Sequence, residues 1–181
     1  NNRLVILGGG ESGVGAAVLA KKQGFDVFLS DSGVIQPGAK ALLKEHDVAF
    51  EEGMHSRSLI MTADQVVKSP GIPDTVPIVE DITRVGIPVI SEIEFAGRYT
   101  QARKICVTGS NGKTTTASLI YYLLRNAGLN AGLAGNVGQS FAYQVATRNY
   151  DIYVLELSSF QLDGMYDFKA DIAILLNITP D

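Results

Sequence analysis

Twice along the chain a short apolar strand runs into a glycine-rich turn that opens a helix. The first copy is "RLVILGGGESGVGAAVLAKKQG", beginning at Arg3, and the second is "KICVTGSNGKTTTASLIYYLLRNAG", beginning at Lys104. A strand that passes directly into a helix must return by a crossover, and crossovers build parallel sheets with helices on their faces. The intervening sequence keeps this rhythm. "FDVFLSD", "VAFEEG", "QVVKSPGIP" and "IPVIS" read as strands, with helical patterns at "AKALLKEH", "VPIVEDITRVG" and "SEIEFAGRYT". After the second turn, "NAGLAG", "DIYVLEL" and "DIAILLNIT" read as strands and "GQSFAYQVATR" as a helix. In the second glycine-turn helix, Ala117, Ile120, Leu124 and Ala127 form one apolar stripe, and Leu119 with Leu123 adds another. A helix this apolar is expected to pack on a sheet.

The chain therefore reads as α/β, in two modules joined near residues 91–103. Residues 1–92 form a Rossmann-like parallel-sheet domain, and residues 93–181 form an incomplete P-loop ATPase-like α/β central domain. With 181 residues, 46% hydrophobic and 19% charged, there is enough apolar material for such cores. A net charge of −4 argues against nucleic-acid and membrane-surface partners, because no excess of Lys and Arg would meet a polyanion. The longest apolar run, "LIYYLL", is far too short to span a bilayer. "NNRLVIL" enters the first turn without the pattern of a secretory leader. The lone cysteine, Cys106, sits in a strand pattern and fits a reducing, cytoplasmic setting. His46 and His55 stand in polar contexts and are expected at the solvated surface.

Gly8, Gly10 and Gly13 satisfy G-x-G-x-x-G between a strand and a helix, and Asp31 closes the following strand. In that pattern the first glycine turns the chain, the second admits phosphate to the backbone and the third lets helix and strand pack. On residues alone, the motif fits an NAD-type dinucleotide, another nucleotide, or a tight turn with no ligand. Glu11 disfavours NAD, because its carboxylate would repel a pyrophosphate lying in the loop.

The second turn, "TGSNGKTT", ends like a P-loop. Backbone N–H groups from Gly109 to Thr115 (Gly109, Ser110, Asn111, Gly112, Lys113, Thr114, Thr115) would surround phosphate oxygens, Lys113 would add positive charge, and the Thr114 hydroxyl would bind Mg²⁺. The strict G-x-x-x-x-G-K-[ST] pattern is not met, since Val107 occupies the first glycine position. A carboxylate at the end of a neighbouring strand would complete the metal site, and Glu156 in "DIYVLEL" stands there. ATP and Mg²⁺ are the expected cofactors, with Lys113 and Glu156 as the groups that serve the chemistry.

"TGSNGKTT", with "GGGESG", "SPGIP", "AGNVG" and "ELSSFQL", resembles the Mur ligase family along all 181 residues. The string "ELSSFQL" is most similar to the branch that adds D-glutamate to UDP-N-acetylmuramoyl-L-alanine. The resemblance implies a peptidoglycan-precursor ligase acting through an acyl phosphate, monomeric, with those two compounds as substrates. It implies that Glu11, Ser12, Asp31 and Ser32 contact the uridine nucleotide, and that Ser69, Gly71 and Asn136 reach the UDP-sugar. The family pattern continues beyond "NITPD" with a metal-binding His, a carbamylated lysine and an amino-acid-binding third domain. The chain accordingly reads as cut short and inactive alone. Another Mur ligase and a non-catalytic nucleotide-sugar binding module are the alternatives, with an NAD-dependent oxidoreductase behind them.

Overall fold

Four consecutive apolar residues, Leu4 to Leu7, are fully shielded from solvent, as a strand covered on both faces requires. They belong to β1 (Arg3–Leu7) in a computed structural model that describes residues 2–179. The chain continues through α1 (Glu11–Lys22), β2 (Asp26–Asp31), α2 (Pro37–Glu45), β3 (Ala49–Glu52), α3 (Arg57–Ile60), β4 (Gln65–Lys68), α4 (Pro77–Arg84) and β5 (Val89–Ser91). These strands form one parallel sheet in the order β3-β2-β1-β4-β5. The order reverses at β1, so the loops after β1 and β4 open a crevice at the sheet's carboxyl end, the usual ligand position in such sheets.

After α5 (Glu92–Gly97) come β6 (Arg103–Thr108), α6 (Lys113–Asn126), β7 (Ala131–Gly135), α7 (Phe141–Thr147), β8 (Ile152–Glu156), α8 (Ser159–Leu162) and β9 (Ile172–Leu175). Their sheet is parallel with order β7-β8-β6-β9. The expected α/β class and both parallel sheets are present. Asn1, Pro180 and Asp181, the outermost positions of the two expected domains, lie outside the described residues. Among the described residues no helix is long and apolar enough to cross a membrane.

The third glycine of the first motif works by absence of a side chain: any Cβ on Gly13 would collide with the Gly8 carbonyl oxygen. That closeness lets α1 lie on β1. The other face of α1 meets α7 and α5, so every residue from Gly13 to Ala20 is buried. One apolar core consequently runs through both modules, from Leu4 and Leu29 to Phe141 and Tyr153. A second core lies on the other face of the first sheet around Val5, Val66 and Ile82. A third, under α6, holds Val107, Ala117 and Val154, with Ile120 and Leu124 packed against it.

Of the two apolar stripes on α6, Ala117, Ile120 and Leu124 of the first pack while Ala127 is exposed, and the second does not pack. Leu119 and Leu123 remain 54% and 57% exposed, on a side of the helix turned away from its own sheet. The short helices α3 and α8 have no counterpart in the sequence reading, because four residues hold too little periodicity to register.

Candidate functional site

The first turn is built around Asp31. Its Oδ2 accepts the Gly9 amide at 2.5 Å and its Oδ1 accepts the Gly33 amide at 2.7 Å. The carboxylate at the tip of β2 thus ties the loop after β1 to the loop after β2. A Cβ at Gly10 would meet nothing, so that backbone is open to approach. Ser69, just past β4, stands across the crevice; a Cβ on Gly8 would fall 2.6 Å from its Oγ. That hydroxyl is buried and has no hydrogen-bond partner among the described residues. Buried hydroxyls are normally hydrogen-bonded, so this one is available to bond a water or a ligand that enters the crevice.

Ser12 is half-buried in the first turn of α1, while Ser32 and Gly71 are exposed on the loops after β2 and β4. Glu11 turns elsewhere. Its Oε1 accepts the Ser140 amide at 3.1 Å, so its carboxylate meets the second module at the start of α7. One physical consequence is that the loop's negative charge is directed at an N–H donor and away from the crevice.

Beside this turn, the Ser30 carbonyl accepts the Gly8 amide at 2.9 Å, and the Ser30 side chain joins an unforeseen cluster with Glu51 and His55. Ser30, fully buried on β2, gives its hydroxyl proton to Glu51 at 2.7 Å and lies 2.7 Å from His55 Nδ1. Because the ionised Glu51 can only accept, the Ser30 proton goes to it and the His55 Nδ1–H must donate to Ser30. Burial opposes ionisation of Glu51, but bonds from Ser56 and Ser30 and the charge of His55 hold its carboxyl below the ordinary range. His55 is therefore half-buried and committed, contrary to the solvated position expected for it, and His46 is half-buried too.

The second turn follows β6. Gly112 caps α6 in the left-handed region at φ 84°, a conformation that glycine adopts without strain. Lys113 Nζ lies across the loop, donating to the carbonyls of Gly109 at 2.6 Å and Ser110 at 3.1 Å. Asn177, after β9, clasps the same loop: it accepts the Ser110 amide on its carbonyl and the Asn111 amide on Oδ1, and returns a bond to the Asn111 carbonyl. No motif had singled out Asn177. Ser110, Asn111, Thr114 and Thr115 are exposed on this loop and the first turn of α6.

Glu156 pairs with Val107 in the β6–β8 register, directly beside this loop. It is 2% exposed on a central strand, which dismisses a solvated edge position. Asn136 Nδ2 donates to its Oε1 at 3.2 Å, and Oε2 is buried without a partner among the described residues. An orphaned carboxylate oxygen, with the Thr114 hydroxyl at the same sheet end, is a hard-oxygen donor set of the kind Mg²⁺ takes. Cys106, one strand position before Val107, is buried and its thiol is pushed up to about 12 by desolvation, so it is inert.

Between the modules lies a cleft of about 1050 Å³. Lys68, Gly71 and Ile72 form one wall, and Asn136, Ser158 and Tyr166 belong to the opposite one. In that wall Ser158 and Gln161 make a reciprocal capping box at the start of α8. The S-x-x-Q spacing in "SSFQ" was the signal that could have announced it.

A protein with two parallel-sheet modules, each carrying a glycine turn at the carboxyl end of a central strand and sharing a cleft, is the class this fold and site define. Residues 2–91 match the MurD-like N-terminal domain of Mur ligases and residues 107–181 match the Mur ligase middle domain. The chain belongs to the Mur ligase family. It is 62% identical over 179 residues to the UDP-N-acetylmuramoylalanine–D-glutamate ligase of Bacteroides fragilis, covering 99% of this chain and 40% of that protein. The protein of the same name from Chlorobaculum tepidum is 45% identical over 181 residues, with 97% and 39% covered. The chain thus spans about 40% of the length of the curated relatives it matches. Among solved structures, the UDP-N-acetylmuramate:L-alanyl-gamma-D-glutamyl-meso-diaminopimelate ligase from Neisseria meningitides aligns with a TM-score of 0.65 at 26% identity, over 99% of this chain and 61% of that one. The UDP-N-acetylmuramate-alanine ligase of Thermotoga maritima shares the fold, with a TM-score of 0.61 at 19% identity over 99% of this chain and 42% of that one.

Proposed function

We propose that this protein is an ATP-dependent amide ligase that adds D-glutamate to UDP-N-acetylmuramoyl-L-alanine in the cytoplasm, as a step of peptidoglycan-precursor synthesis. Residues 1–92 would hold the UDP-sugar and residues 93–181 would supply the ATP-binding part. The reading is carried by the 62% identity that runs along almost the whole chain to a ligase of that name.

A carboxylate is a poor electrophile, so ATP would first give its γ-phosphoryl group to the alanyl carboxylate, leaving ADP, and the D-glutamate amine would then attack the acyl phosphate, releasing inorganic phosphate and a proton. Lys113 would exchange the Gly109 and Ser110 carbonyls for phosphate oxygens, and loop amides from Gly109 to Thr115 would hold the remaining charge. Thr114 and Glu156 would hold Mg²⁺, which when bound neutralises phosphate charge. Asn136, bonded to Glu156, would fix that carboxylate's orientation while facing the cleft. Ser12, Asp31, Ser32, Ser69 and Gly71 would receive the uridine nucleotide and sugar. Glu11 would act chiefly on the second module, through Ser140.

The test is phosphate release by the full-length protein with UDP-N-acetylmuramoyl-L-alanine, ATP and Mg²⁺, with each of several amino acids in turn. Turnover with D-glutamate alone is the expected result. Turnover with a different amino acid would move the assignment to another branch. Absence of turnover, together with binding of NAD⁺ by the first turn, would overturn it.

A further inference from the structure

The helix between the modules carries a carboxylate that no motif assigns. Glu94 on α5 has a fully buried side chain. Its Oε2 accepts three successive amides of the second module, Tyr166 at 3.0 Å, Asp167 at 3.1 Å and Phe168 at 2.9 Å. Its other oxygen takes Arg98, with Nη2 at 3.0 Å and Nε at 3.1 Å. Three amides converging on one oxygen form an anion nest, here filled by a side chain from another element.

The surroundings leave the held segment little freedom. Ser91, the N-cap of α5, donates its amide to the Gly164 carbonyl at 2.8 Å, and a Cβ on Gly164 would fall 2.7 Å from that Ser91 nitrogen. A Cβ on Gly97 would fall 2.5 Å from the Phe168 ring. Residues 164–168 are therefore fastened to α5 from both ends, and the middle fastening is ionic. This segment lies within the cleft wall: Asp163, Gly164 and Tyr166 line it with Ser158 and Phe160, facing Lys68 and Ile72. Tyr166 is 70% exposed, so its backbone and not its side-chain packing sets its place.

We infer that Glu94 is a positioning residue for the inter-module cleft, fixing through the 166–168 amides the wall against which the UDP-sugar end of the substrate is held. The substrate part of this inference rests on the ligase reading; the geometric part does not. Replacing the carboxylate by an amide removes the charge that three N–H groups share and sets an NH₂ group against Arg98 or against the amides. The wall then loosens while the P-loop-type turn, held by Asn177, is untouched.

The experiment uses full-length protein and Glu94→Gln, with Arg98→Gln as a control that removes the guanidinium and keeps the nest. Hydrogen exchange at Tyr166–Phe168 is read first, and it needs no substrate. Glu94→Gln should raise exchange there selectively, with Lys113–Asn126 unchanged. KM for UDP-N-acetylmuramoyl-L-alanine should then rise about tenfold or more with KM for ATP within about twofold, since a loosened 166–168 segment must be reordered on binding at a cost of roughly one decade in affinity. Arg98→Gln should show much smaller changes in both. Unchanged exchange at 166–168 would overturn the inference. So would raised exchange with an unchanged KM for the UDP-sugar, or equal changes in both KM values, which mark a general loss of structure. If the wild-type protein shows no ligation while exchange behaves as expected, the ligase reading falls and the geometric anchor stands.

Discussion

Glu92 and Glu94, two residues apart on one short helix, are both buried and titrate in opposite directions. Glu92 is raised to about 7, because desolvation outweighs its bonds from Ala142 at 2.6 Å and Ser140 at 2.7 Å, and the Glu11 carboxylate adds to the rise. Glu94 is lowered although burial opposes it, because the 166–168 amides and Arg98 favour its charge. Heavier desolvation of Glu92, and the larger number and charge of the donors to Glu94, together decide the sign.

Stability should therefore fall as pH rises through the Glu92 window. Below its ordinary value of 4.5 both folded and unfolded chains hold the proton. Between there and about 7 the unfolded chain loses a proton that the native chain keeps, so the native state is progressively disfavoured. Above that window the cost is constant, on the order of 3 kcal/mol. Glu92→Gln can still accept from Ser140 and Ala142 and should flatten the slope. Melting curves from pH 5 to 8 should show the variant gaining on the wild type by roughly 5–10 °C at the alkaline end. A difference independent of pH would count against this assignment.

Lys113→Ala should separate the two glycine turns. In the full-length protein, turnover should drop about 10²-fold or more, in the range found when one preorganised charge stabiliser is removed. Affinity for the UDP-sugar, read by calorimetry without ATP, should stay within about twofold, a difference of under half a kcal/mol. Equal losses in both would contradict the division of labour.

Glu156→Gln should act on the metal. Its Oε2 has no partner among the described residues, so the uncharged amide costs the apo fold little, and the apo melting temperature should hold or rise. The Mg²⁺ concentration for half-maximal activity should increase about 10–100-fold, the range seen when groups at a metal site are altered. A large fall in apo stability with an unchanged Mg²⁺ requirement would assign Glu156 a structural role.

Ser69→Ala removes a hydroxyl that none of the described residues bonds. Stability should change by less than about 0.5 kcal/mol, or increase, because no internal hydrogen bond is lost. Uridine-nucleotide affinity should fall about tenfold, the equivalent of one well-placed hydrogen bond. An unaltered calorimetric titration would remove Ser69 from the ligand site.

Period and punctuation made the strands, the long helices and both turns legible. Apolar runs such as Leu4–Leu7 and Val154–Leu155 leave little choice but a covered parallel strand, and Gly112-Lys113 marks a helix start that must face an anion or solvent. What stayed hidden depends on distance along the chain. Nothing near Glu11 announces that it will bond Ser140, and nothing near Glu94 announces a nest formed by residues 166–168. Asn177 reads as an ordinary polar residue after a strand until the loop it clasps, 66 positions away, is brought beside it. The packing of α6 was misjudged for a related reason: apolar stripes state which surfaces can be buried, not whether a partner element covers both.

The core shared by α1, α5 and α7 has a bearing on protein engineering. Phe25 stacks edge-on against Phe95 and Tyr99, with ring centroids 5.9 and 6.5 Å apart, so the first module's aromatic contacts lie beyond residue 92. A Cβ on Gly15 would collide with Ser140, a residue of the other module. A hybrid spliced at residue 92 would inherit an exposed aromatic seam and a mismatched helix crossing even if each half were individually sound. Recombination between homologues should instead keep residues 11–25, 91–99 and 138–168 from a single parent, treating three separated stretches as one heritable block.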